Sequence, residues 1–183
     1  MVDGRTSAEL SSAPLPRLRA RRLRPGHVHP AGVADIARVL RFFGEHCTYG
    51  VRSVELAQGA SRVPASGLRL GRLVVPGRII LYDQPPSPWT LRGALHPAVR
   101  DRLCRSGAIV TPVGGAHTIV AWPAETLRDF MLFDVLMHEV GHHLIQQYKG
   151  KRPARVARTR DHEAFADLFA RQCRDRYQAD APT

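Results

Sequence analysis

The chain has 183 residues, a hydrophobic fraction of 44% and a formal charge of +11, which suits one domain with a core of its own. Its positive charge is almost wholly arginine, with Lys149 and Lys151 the only lysines; this favours nucleic acid, acidic proteins or other anionic surfaces without choosing among them. No apolar run is long enough to cross a bilayer and the N-terminus lacks the apolar stretch of a secretory signal, so a cytoplasmic protein with no membrane association is expected.

Residues 1–26 are polar, with Arg17, Arg19, Arg21, Arg22 and Arg24 crowded among few apolar partners. Such a segment buries too little surface to offset its ordering entropy. It reads as a disordered basic tail, with a nucleic-acid arm as the sharper alternative. A single domain is expected over residues 27–183. Within residues 30–46, Val33, Ile36, Ala37, Val39, Leu40 and Phe43 have helical spacing, and Gly44 is a stop signal. Val51–Ala57 is strand-like. In residues 68–82, Leu73-Val74-Val75 and Ile79-Ile80-Leu81-Tyr82 flank Pro76-Gly77, the pattern of two strands about a turn. Residues 84–89 form a proline-rich loop and residues 97–104 a short helix. Ile109-Val110 and Thr118–Trp122 are strand pieces on either side of Gly114-Gly115.

The last third is helical. Thr126–Lys149 reads as one long helix, opened by a capping box of Thr126 and Asp129 and closed by Gly150 and Pro153. Leu127, Phe130, Met131, Phe133, Leu136, Val140 and Leu144 cover much of its circumference, as in a buried helix. A basic loop with Lys151, Arg152, Arg155, Arg158 and Arg160 leads into a second helix from about Asp161 to Tyr177, capped by Asp161 or Thr159. Cys47, Cys104 and Cys173 are odd in number and scattered, which fits reduced thiols and neither a disulfide framework nor a cysteine zinc site.

Two histidines and a glutamate interrupt the most apolar part of the long helix, in His138-Glu139-Val140-Gly141-His142. Burying three such groups costs several kcal/mol unless each finds a partner. A divalent metal is a partner of the right kind. Residues four apart leave one helix face, so His138 and His142 can reach a single ion. Glu139, about 100° round the helix, can lie beside the ion without ligating it and accept a proton from its water. His143 points away. A catalytic zinc takes a third protein ligand, and Glu163 of Glu163-Ala164-Phe165-Ala166-Asp167 supplies it best, with His162 or Asp167 as substitutes. Asp167, one turn on, can accept the N–H of a ligating histidine and fix its tautomer.

These two motifs resemble the gluzincin zinc metallopeptidases, and the second is similar to that of the ImmA/IrrE-type small intracellular peptidases. The resemblance covers about residues 108–177. Metzincins would need a third histidine where Tyr148 stands. The resemblance implies a zincin-like α+β fold: a small twisted β-sheet on the buried His138–His142 helix, followed by the Glu163 helix. It implies Zn²⁺ on His138, His142 and Glu163, Glu139 as general base, and a peptide or protein as substrate. The oxyanion-stabilising residue such enzymes use stays open among Tyr177, His117 and His162. The rival expectation is a regulatory module that keeps the scaffold and binds nucleic acid or an acidic partner through its arginines.

Overall fold

The computed structural model describes residues 14–59, 70–148 and 159–180. The fold is mixed α+β, with two small sheets and a set of helices around a shared core. The first sheet holds β1 (Arg17–Ala20), β2 (Ser53–Ala57), β3 (Gly71–Val74) and β4 (Arg78–Tyr82) in the order β1-β2-β4-β3. The β1–β2 and β2–β4 pairs are parallel, and β3 runs antiparallel to β4. Strand side chains alternate between faces. Leu18, Val54, Leu56, Leu73, Ile79 and Leu81 accordingly share one face and join the core. Arg17, Arg19, Ser53, Glu55 and Arg78 share the other.

The turn between β3 and β4 requires Gly77. Its φ of 68° lies in the left-handed region, and a Cβ there would collide with the Gly50 carbonyl oxygen. The second sheet holds β5 (Trp89–Arg92), β6 (Ile109–Val113) and β7 (His117–Ala121) in the antiparallel order β5-β7-β6. It buries Trp89 against Trp122, and Trp122 against Phe130, with ring centroids 5.2 and 4.7 Å apart.

The helices are α1 (Val33–Phe43), α2 (Glu45–Thr48), α3 (Pro97–Arg105), α4 (Thr126–Phe130), α5 (His138–Tyr148) and α6 (Arg160–Asp180). A π-helical stretch over Met131–Met137 joins α4 to α5, so the rod is continuous from Thr126 to Tyr148. Its wide turn bears Met131, Leu132, Phe133, Val135, Leu136 and Met137, all buried. At the start of α1, the Asp35 carboxylate accepts the Gly32 N–H at 2.9 Å. No helix among the described residues is long and apolar enough to cross a membrane.

Three expectations need correction. Residues 1–26 are not one disordered tail. Residues 1–13 lie outside the described part, but Arg17–Ala20 is a sheet strand. Its order comes from sequence-distant partners: β2 supplies the ladder, Arg21 pairs with Glu55, and Arg24 Nη2 meets Asp83 Oδ1 at 2.8 Å. The Thr126–Asp129 capping box does not form. Thr126 Oγ1 instead donates to the Pro123 carbonyl at 2.6 Å, and Glu125 takes the N-cap position. The loop over residues 84–89 ends in a strand, β5, whose short edge segment carried too little alternation to be seen. The basic loop residues Lys151, Arg152, Arg155 and Arg158, and the stops Gly150 and Pro153, lie outside the described residues.

Candidate metal centre

The centre is built where α5 and α6 meet. Gly141 sets their approach: a Cβ at that position would lie 3.0 Å from Ala166 Cα and 3.4 Å from Phe169 Cδ1. Backbone contact of this kind lets short side chains from both helices converge. At the start of α6, the Thr159 carbonyl accepts the Glu163 N–H at 3.0 Å and the Thr159 hydroxyl lies 3.4 Å from the His162 N–H. A polar cluster anchors α6 further on. Asp134, from the π-helical stretch, accepts the Ser106 hydroxyl at 2.9 Å and pairs with Arg174 of α6.

His138 and His142 lie one turn apart on one face of α5, their side chains 7% and 1% exposed. Their Nε2 atoms are 3.1 Å apart. Glu163 bridges them: Oε2 is 3.4 Å from His138 Nε2, and Oε1 is 3.4 Å from His142 Nε2. The ligand atoms of these three residues all fall within 4.8 Å of one another. Asp167 Oδ1 stands 2.9 Å from His138 Nδ1. A proton on Nδ1, facing that carboxylate, would leave the lone pair of His138 Nε2 turned toward Glu163 and His142.

The donor set fits a zinc ion by distance. Two donors each about 2.0–2.1 Å from a tetrahedral zinc are roughly 3.3–3.4 Å apart. The two imidazole nitrogens are 3.1 Å apart and each has one Glu163 oxygen at 3.4 Å, Oε2 for His138 and Oε1 for His142, while one donor atom from each residue falls within 4.8 Å of the other two. Two imidazoles and one carboxylate leave a fourth position, as in catalytic rather than closed structural sites.

Electrostatics point the same way. Burial works against a charged His138, but the Asp167 and Glu163 carboxylates outweigh it and its pKa is raised. Burial would raise the pKa of Asp167, while its contact with His138, aided by Arg102, lowers it. The centre therefore carries a field that favours a cation among its nitrogens. Access is along α6: the Glu163 and Asp167 side chains are 39% and 48% exposed, whereas both imidazoles are covered.

Glu139 is buried but lies outside the ligand cluster. Its Oε2 accepts the Leu73 N–H of β3 at 2.8 Å. β3 is an edge strand, and at Leu73 its free edge is turned to α5, so the sheet fixes the carboxylate beside the histidines. The backbone donor leaves no trace in side-chain pattern. Asp134 is a further contributor, and its signal was an acid inside an apolar run.

Other candidate residues lie elsewhere. His143 Nε2 is 3.0 Å from the Tyr49 carbonyl, and burial lowers its pKa despite that contact. Tyr177 packs its ring on Phe42 and Phe133, about four helical turns beyond Glu163. His117 sits exposed at the start of β7, and His162 precedes Glu163 on α6. Cys47 and Cys173, 126 positions apart in sequence, are both buried and free. Neither protein-family models, nor curated proteins, nor solved structures match the chain.

Proposed function

We propose that the chain is a zinc metallohydrolase of the gluzincin type, and specifically a peptidase with a zincin-like arrangement of sheet and helices. The reading rests on one observation: His138, His142 and Glu163 converge from two helices with one donor atom each within 4.8 Å of the others, while Glu139 is held just outside the cluster. His138, His142 and Glu163 would hold the ion. Bound there, zinc supplies Lewis acidity to a water and to the scissile carbonyl.

The chain's own groups do the rest. Glu139 accepts the proton of the attacking water and delivers it to the leaving amine. The Leu73 N–H restrains the Glu139 carboxylate, so the proton acceptor needs no rearrangement before reaction. Asp167 orients the His138 ring through Nδ1.

The test is zinc content together with hydrolysis of a peptide library, in wild type, Glu139→Gln and Glu163→Ala. Wild type and Glu139→Gln should each hold close to one zinc, and Glu163→Ala should hold it weakly. Peptide turnover should fall by roughly 10²–10⁴ in Glu139→Gln, the usual worth of a general base. Undiminished turnover in Glu139→Gln would remove the proposed mechanism. Folded wild type that stays empty in excess zinc would remove the metal reading altogether.

A further inference from the structure

The face of the four-stranded sheet turned away from the core carries a second polar concentration. Arg17 and Arg19 of β1, followed by Arg21, project at every second residue along one edge, about 6.6 Å apart by strand geometry. The parallel register lays Arg17 beside Ser53 and Ser53 beside Arg78, so a polar row crosses three strands. With Arg52, just before β2, and Glu55, these residues line a cavity of about 650 Å³. It presents five guanidinium groups against one carboxylate.

The single acid is the organiser. Glu55 is 4% exposed and pairs with both Arg21 and Arg78. Burial alone would raise its pKa, but the two arginines outweigh that and lower it. Glu55 thus stays ionised and fixes two guanidinium heads at the groove floor. Arg17, Arg19 and Arg52 make no ion pair among the described residues. Parallel strands are usually covered on both faces. Here Leu18, Val54 and Ile79 serve the core face; on the opposite face Ile80 and Tyr82 of β4 are buried, and the arginines take its β1 side.

We propose that this groove binds the phosphodiester backbone of nucleic acid, independently of the metal centre. Guanidinium forks match phosphate oxygens in bidentate geometry. Charges repeated at every second strand residue suit an extended chain of regularly spaced phosphates. The lining has no apolar or aromatic side chain, so it lacks the anchor pocket that a protein partner's hot spots fill. It also lacks asparagine and glutamine, the side chains that pair with adenine edges. The groove lies at the β1 edge of the sheet, whereas Glu139 touches β3 at the other edge.

Fluorescence anisotropy of a labelled single-stranded oligonucleotide, titrated with the full chain at several salt concentrations, tests this. One triple variant carries Arg17→Ala, Arg19→Ala and Arg52→Ala, at exposed positions without ion pairs. A control triple removes the same charge at exposed Arg41, Arg100 and Arg105. The groove variant should flatten the log–log salt dependence by about 2, from about 0.7 per phosphate contact on single strands. Its affinity near 0.15 M salt should fall at least about tenfold, while the control keeps a wild-type slope. Far-ultraviolet circular dichroism should superimpose for all three proteins. No binding by wild type, equal losses in both triples, or equal displacement by polyglutamate would overturn the proposal.

Discussion

The candidate metal centre and the arginine strand both join cations or cation-binding groups to carboxylates, and they are built as inverses. At the metal centre the imidazoles are buried and their acids, Glu163 and Asp167, reach solvent. Along β1 the acids are buried, with Glu55 at 4% and Asp83 at 2%, and the arginines reach outward. A buried group must have its partner supplied, because desolvation leaves it no alternative. Buried carboxylates can be satisfied once and for all by arginines from the same chain, which locks β1 to the sheet. Two buried imidazoles whose Nε2 atoms face one another at 3.1 Å can share one proton or one external cation. The member of the pair that is buried thus separates a fastening from a site.

Three measurements would break or sharpen that contrast. The largest effect is expected at Gly141, where the candidate metal centre depends on the approach of two helices. Gly141→Val would push its side chain into the Ala166 backbone. The cost should be about 3 kcal/mol, a fall in Tm of roughly 6–12 °C for a domain of this size. Zinc affinity should fall with it, because Glu163 moves with α6. A calorimetric scan showing an unchanged Tm would mean that the helices are not in the contact described.

Next, Asp167→Ala should weaken zinc binding about 10–100-fold, the usual effect of removing a partner that orients a ligating histidine. Asp167→Asn should lose less, since its amide oxygen still accepts the His138 Nδ1–H. Competition with a zinc-sensitive dye would measure both, and equal affinity in all three proteins would leave Asp167 without its role.

The smallest effect belongs to the fastening. Burial opposes ionisation of Asp83, but Arg24 and the Gly59 and Arg24 N–H groups outweigh it and hold its pKa at about 2, below the ordinary 3.8. A depressed folded-state pKa gives stability that is complete above the unfolded value. It is lost as the pH falls from about 4 through about 2, and it amounts to about 2 kcal/mol. Urea denaturation of wild type should show that extra loss over this window, relative to Asp83→Asn. Parallel curves would show that the pair contributes no pH-dependent stability.

Much of the fold was legible because local pattern and tertiary role agree. Val33 to Phe43 have one apolar face and form α1, with Gly44 at its end. Pro76-Gly77 separates two strands because only glycine fits against Gly50. The site motifs were legible for the same reason: polar residues in apolar helices mark places where a partner is owed. Legibility failed where order comes from distant residues. Arg17-Leu18-Arg19-Ala20-Arg21 alternates with period two, yet its charge spoke for a solvated tail. Only β2 and the buried acids Glu55 and Asp83 make it a strand. The capping box failed because Pro123 offered the Thr126 hydroxyl a nearer carbonyl. The Leu73 N–H on Glu139 is a backbone contact, and no side-chain pattern encodes it.

The wide turn over Met131–Met137 has a consequence for counting residues. The rod from Thr126 to Tyr148 serves two clients: Phe130 must face Trp122, and His138 must face α6. A regular α-helix rotates about 100° per residue, so one residue absorbed in a π turn resets the phase of everything after it. A chain with the same two contacts and an unbroken α-helix would need one residue fewer between Trp122 and His138. Alignment of such a chain with this one would require a single gap inside a helix, at a place where gaps are ordinarily penalised most.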